Sequence, residues 1–342
     1  MRKRAYVFGA AAATLIAAAA AAIFWLHPRL DIPFSKTSCE NALPPNWPDT
    51  ALAQAALRFV GDLVSDNADA AYAELDAASQ AATRPAKLRR SIHDIVAPAG
   101  PLSDFQLTEM YRIDVAFGQQ RNQAMCANST NPDDQVAVAV TSAAKQAYVV
   151  VEGHGKTMDW AFVLWFVDEQ GWRVQAVNIS PSTLAGRSAE EVWRQARGER
   201  DRHHIFNATV LYSAANQLAD RGSNFRLALQ QRIRGEMAKL TVPRELQGPM
   251  PFTWHLIGPD SYKIVWIGAT AFDAKIYLSI VQEIEPWPTD QEADRRNRQL
   301  IAEVASVFAE YSSAFAGVTV TARDAGGSHL FQTAAPPVAA AQ

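Results

Sequence analysis

The sequence lacks the short signatures that mark common catalytic machinery, and it is poor in cysteine. No Gly-x-Ser-x-Gly, His-Glu-x-x-His or Walker A loop occurs, so no serine-hydrolase elbow, zincin helix or phosphate-cradling loop is indicated. Gly153-His154-Gly155 lacks the third glycine and the following helix of a dinucleotide turn. With two cysteines and no Cys-x-x-Cys, a redox or metal centre is not expected, and no cofactor is implied. Charge of one sign is also missing. Lys and Arg total 32 against 35 Asp and Glu, for a net charge of −3. The pI near 6.2 argues against a nucleic-acid binder, which carries a basic face. No block of five like charges forms a tail.

What is present begins with a hydrophobic run. Met1-Arg2-Lys3-Arg4 precedes Ala5 to Leu26, 22 residues without a charge. At about 1.5 Å per residue, such a helix spans roughly 33 Å, one bilayer core. Trp25 and Tyr6 occupy the positions of interfacial aromatics. Basic residues precede the span, while Arg29 after it is balanced by Asp31, which orients the N-terminus to the cytoplasm. The expectation is a single-pass protein of the inner (cytoplasmic) membrane with a periplasmic or extracellular body. A cleaved signal peptide shares the basic start and Ala-rich core, with Ala20-Ala21-Ala22 as a cleavage site; the length of the run favours a retained anchor. Either way the body is exported. Gly9, Ala13, Ala17 and Ala21 form a small-residue stripe that permits self-association.

An even cysteine count in an exported chain predicts a Cys39–Cys126 disulfide, with two unpaired thiols as the alternative. Residues 27–49 are Pro-containing and polar, a stalk. Leu52, Ala56, Phe59, Val60 and Leu63 then recur at helical spacing. Further helices are expected from Asn67 and over Pro85–Val96, before Pro98-Ala99-Gly100-Pro101. Strand patterns follow at Leu107–Phe117, Gln135–Thr141 and Ala147–Glu152. Asp159–Val167 is apolar on both faces, so it is predicted to be covered on both sides. Glu169-Gln170-Gly171 turns it into Trp172–Ile179, a hairpin.

The opening ALRFVGDLVSDNADAAYAEL and the closing WAFVLWFVDEQGWRVQAVNIS carry a resemblance to the NTF2-like (cystatin-like, α+β cone) superfamily over residues 50–182. The first is similar to the family's helix, short gap and Asp-x-Ala-x-Tyr-x-x-Leu start, and the second to its strand, turn and Gly-Trp-x-Val end. The resemblance implies helices over a curved antiparallel sheet, with a pocket between sheet and long helix. Family enzymes place Asp, His or Tyr in that pocket as acid–base groups, and an apolar setting raises a carboxylate pKa. The candidates for ligand binding here are Tyr111, Asp114, His154 and Asp159, with Trp160 and Trp165 as stacking walls. Each also has a plain alternative: strand ends in solvent for the two aspartates, a turn for His154, core packing for the tryptophans.

Residues 183–333 read as a second α+β domain without family resemblance. A charged helical stretch (SAEEVWRQARGERDRHH) leads into an apolar stripe at Val210, Leu211, Ala214, Ala215 and Leu218. A helix over Phe225–Leu240, strands at Phe252–Ile257, Tyr262–Ile267 and Ala274–Ile284, a long helix over Asp290–Phe315 and a hairpin at Val318–Phe331 are expected. Residues 334–342 are expected to be a disordered tail. His203-His204 point too far apart on a helix to chelate one ion, and no metal site is expected. His203 instead reaches Glu199 at four-residue spacing, on a solvated face.

These features point to an α+β envelope protein that binds a protein partner, itself or a small ligand near the membrane. One helix, a stalk and an NTF2-like body also resemble, in architecture, the bitopic assembly subunits of type IV secretion machines, which associate through an exposed sheet face. The alternative is a membrane-tethered NTF2-like enzyme, which requires titratable groups converging in an apolar pocket. A lipid or peptidoglycan binder would need a tunnel or groove that no sequence feature identifies.

Overall fold

The computed structural model describes residues 38–42, 50–96, 100–115, 123–127, 135–141 and 145–336. The apolar run 5–26, most of the stalk and the end of the tail lie outside these. Among the described residues no helix is long and apolar enough to cross a membrane.

The fold is α+β. In the first half, β1 (Ser38–Ala42), β2 (Ser103–Asp114), β5 (Lys145–His154), β6 (Trp160–Asp168) and β7 (Trp172–Pro181) form one sheet in that order. All its pairings are antiparallel. Four helices precede most of it: α1 (Thr50–Val64), α2 (Ala68–Ala73), α3 (Ala77–Ala82) and α4 (Pro85–Val96). The spacing that predicts α1 also sets its packing, because Leu52, Ala56, Phe59, Val60 and Leu63 are all buried on one stripe. The helix expected from Asn67 is broken in two. The Asp76 amide donates to the Val174 carbonyl (2.9 Å) and Val174 returns a bond to Glu74 (3.0 Å), which ties the break to β7. Asp76 then caps α3 by accepting from the Ser79 amide at 2.7 Å.

Strand β6 is buried along its length except for Asp168. Trp160, Phe162, Leu164 and Phe166 face the helices, while Ala161, Val163 and Trp165 face the other way. Alternation therefore puts one apolar strand between two covers, as its continuous hydrophobicity predicts. The second cover is a small sheet of β3 (Gln123–Ala127), β4 (Gln135–Ala139) and β10 (Phe225–Leu227), ordered β10-β4-β3. The Cys39–Cys126 disulfide joins β1 of the large sheet to β3 of this layer across 87 positions of sequence.

A short ribbon of β8 (Thr183–Leu184) and β9 (Arg187–Ser188) leads to α5 (Ala189–Asp201), which opens on a capping box between Ser188 and Glu191. The sequence pattern runs on toward the next helix, but the chain turns at His203, whose φ is 63°, before α6 (Ile205–Leu218). The segment expected as one helix from Phe225 starts instead as β10 and becomes α7 (Ala228–Met237). β11 (Phe252–Trp254), β12 (Tyr262–Phe272), β13 (Lys275–Glu283), β14 (Val318–Arg323) and β15 (Leu330–Ala335) form the last sheet in chain order. The helix α8 (Asp290–Val307) carries the chain from β13 to β14, and these two strands are parallel. It ends at Phe308, short of the expected Phe315, and a 3-10 turn covers Ala309–Ser313. β15 extends two residues into the expected tail, because Ala334 and Ala335 pair with Thr319 and Val318.

Candidate functional site

The helix side of the first sheet, where the NTF2-like resemblance places a pocket, is filled by Phe59, Phe162, Phe166, Val174 and Trp160. The six candidate residues do not converge. Trp160 and Trp165 lie on opposite faces of β6. Trp165 stacks on Tyr148 with centroids 5.4 Å apart and donates through Nε1 to Gln146 at 3.1 Å. Asp114 ends β2 and is exposed. His154 and Asp159 do meet, at the end of the β5–β6 hairpin: Nδ1 and Oδ1 are 3.0 Å apart. Thr183 donates to the other carboxylate oxygen at 3.1 Å. The hydrogen bond to Asp159 holds His154 above its ordinary pKa. The threonine bonds to the aspartate and not to the imidazole, so the three do not line up as a hydroxyl–imidazole–carboxylate relay.

A Ser, His and Glu constellation in the second half has a similar limit. Ser313 Oγ lies 3.2 Å from His204 Nδ1, and Glu199 Oε2 lies 2.8 Å from the same nitrogen. A base relay uses opposite ring nitrogens, whereas here both partners compete for one. The partner of Glu199 is His204 and not the expected His203, because the helix ends first and His203 turns out at positive φ. Glu199 is fully buried, and Asn207 (2.9 Å), Ser313 (2.9 Å) and Arg202 also bond to it. It fastens α5, α6 and the turn after α8 together.

The remaining candidate, Tyr111, leads to the site with chemistry. Its hydroxyl bonds to the carboxylate of Glu109 two residues earlier on the same face of β2. That face, turned away from the helices, borders a cavity of about 300 Å³ at the seam of the two halves. Glu109 from β2 and Glu152 from β5 line one wall, Ser182 and the start of α5 another, and Arg221 with Phe225 the third. Burial pushes the Glu109 carboxyl above the usual carboxylate range; the Tyr111 bond and Arg221 oppose the rise, and the Glu152 charge adds to it. Burial likewise lowers the pKa of Arg221, against the pull of Glu152, Glu109 and Asp220.

The loop after α6 positions Arg221. Its Nη1 donates to the carbonyls of Leu218 (2.7 Å) and Asp220 (3.2 Å), and more distantly to Ser180 Oγ (3.3 Å) and the Pro181 carbonyl (3.4 Å). Asp220 accepts the Gly222 amide at 2.9 Å, an Asx turn. Gly222 has φ of +87° and packs so closely on β7 that a Cβ would lie 2.7 Å from Asn178 Cγ. Among the described residues no hydrogen bond or salt bridge reaches the Glu152 carboxylate. The Ser182 hydroxyl is also without a partner, although the residue is only 5% exposed.

Sequence reasoning missed Glu109, Glu152, Ser182 and Arg221. The signal available was local: a glutamate at an inward position of each apolar strand, LTEMY and VVVEG. The arginine comes from a loop some seventy positions later, and nothing local connects it to them. Among the described residues no group of three His, Cys, Asp or Glu side chains is placed to hold a metal ion. No protein-family model matches the chain, and no curated protein or solved structure matches it.

Proposed function

We propose that this chain is an extracytoplasmic binding module, tethered to the inner membrane by residues 5–26, whose ligand occupies the seam cavity. The observation that carries the reading is the polar lining: a buried Ser182 hydroxyl without a partner among the described residues, beside the half-buried carboxyls of Glu109 and Glu152. Native structures rarely leave buried polar groups unpaired unless something else pairs them. The disulfide supports the exported address, since such bonds persist in oxidising compartments. The order of helices, then antiparallel strands, supports the NTF2-like assignment of residues 50–182.

Native mass spectrometry of the detergent-solubilised full chain tests this reading. The expected result is a small-molecule adduct that Leu227→Trp, which fills the cavity wall, removes. An adduct unchanged by that substitution places the ligand elsewhere and overturns the assignment of the cavity. Thiol alkylation of intact cells adds the compartment: Cys39 and Cys126 are expected to react only after reduction. Reaction without reductant would count against export.

A membrane-tethered enzyme is the second reading, favoured by the Tyr111 contact to the buried Glu109 carboxyl, which is a proton donor beside a candidate base. Under it, Glu109→Gln would leave the ligand bound and unconverted. Under the binding reading the same change alters occupancy.

A further inference from the structure

We infer that the seam cavity receives a small primary ammonium ion, its charge held between Glu109 and Glu152 and its alkyl body against the apolar wall. This deepens the reading of the cavity as a ligand site and rests on it.

Charge comes first. Glu109, Glu152 and Glu190 border the space against one cation, Arg221. The Nη1 of that arginine is committed to carbonyls and a hydroxyl of its own surroundings. An anion would meet the half-buried carboxylates of Glu109 and Glu152, and like charges at close range repel. A cation meets the reverse.

Hydrogen-bond capacity comes second. An ammonium group offers three donors and no acceptor. Among the described residues, the cavity supplies a Glu152 carboxylate that no hydrogen bond or salt bridge reaches, a Glu109 carboxylate that receives the Tyr111 hydroxyl, and a Ser182 hydroxyl without a partner. Ionised donor–acceptor pairs are about twice as strong as neutral ones, so this lining suits a charged donor. The Ser182 observation is independent of the acidic pair: its buried hydroxyl borders the same space and can accept from an ammonium N–H.

Shape and competing cations come third. Val150, Leu218, Leu227 and Leu229 supply an apolar part of the lining, beside Thr183 and Ser188, and leave room for a short hydrocarbon chain. A calcium ion takes six to eight oxygen ligands and is poorly served by such a wall. The same geometry implies proton release. The Glu109 carboxyl faces Tyr111 on its own strand, Glu152 on β5, Arg221 in the loop after α6 and Glu190 on α5. A cation arriving beside it favours the ionised form and expels any proton it carries.

The test is isothermal titration of the full chain in detergent with 1,4-diaminobutane, n-butylamine and sodium butyrate. The two amines are expected to bind saturably and butyrate not at all. Binding heats should change with the ionisation enthalpy of the buffer, as proton release requires. Glu152→Gln is expected to weaken amine binding about tenfold or more. It is nearly isosteric, and Glu152 makes no described hydrogen bond, so its melting curve serves as the folding control. Ser182→Ala should weaken binding by a smaller factor. Amine binding unaffected by Glu152→Gln, or butyrate displacing the amines, overturns the inference. So does the absence of amine binding: if native mass spectrometry still finds a cavity adduct, the ligand site stands with a different guest, and if it does not, both readings fall.

Discussion

Two glycines illustrate how residue-scale chemistry separates replaceable positions from irreplaceable ones. Gly222 combines positive φ with a Cβ position occupied by Asn178, so Gly222→Ala should lower the unfolding free energy by about 1–3 kcal/mol. Gly235, exposed in α7 with open space at its Cβ position, should respond oppositely, gaining up to about 1 kcal/mol on substitution by Ala. Urea midpoints of the two variants decide both. Glu199 supplies a pH dependence. Burial alone would raise its pKa, but hydrogen bonds from Asn207, His204, Ser313 and Arg202 outweigh burial and hold it below the usual carboxylate range. A depressed folded-state pKa means the contribution is fully present above the unfolded value and is lost as pH falls through the folded one. Stability measured from pH 7 down to acid should therefore decline below the ordinary glutamate range. Glu199→Gln should be less stable at pH 7 and show a flatter decline. Sequence reasoning chose Glu199 with the wrong histidine, since helical spacing assumes a helix that ends two residues earlier.

At the scale of elements, periodicity was legible and pairing was not. The stripe of α1, the doubly buried β6 and the β6–β7 hairpin all follow from residues that are neighbours in sequence. β1 falls within the expected stalk and β10 at the start of an expected helix, because three to five residues hold too little pattern to name a strand. Each is a strand because a partner strand is there: β2 for β1, β4 for β10. The disulfide pins β1, which among the described strands pairs with β2 alone, to the second layer. Closing a loop of this size contributes about 4 kcal/mol in the chain-entropy model. Cys39→Ser should thus destabilise the protein by about 2–4 kcal/mol, and dithiothreitol should produce the same loss in the native chain but none in the variant. Urea unfolding with and without reductant measures it.

For the whole molecule, β10 is the telling piece. It follows α6 of the second half yet completes the sheet of β3 and β4 in the first. Its Phe225 packs edge-on to Tyr111 at 5.6 Å and tilts against Tyr148 at 5.7 Å. A cut at residue 182 would uncover those aromatics, so the two halves should melt together. Scanning calorimetry is expected to record one transition; two well-separated ones would refute the interlock. Phe225→Ala should cost about 3–5 kcal/mol and lower that single transition without splitting it.

By itself the sequence determined what depends on near neighbours: helical stripes, strand alternation, the single available cysteine pair and the α+β order. Those are decided by backbone geometry and side-chain period, which act over a few residues. Tertiary structure alone decided that the helix face is packed and the opposite face holds the cavity. It also decided that Glu109, Glu152, Ser182 and Arg221 converge from separate segments. Burial and Coulomb forces act through space, so the environment of each group exists only once distant strands and loops have closed around it.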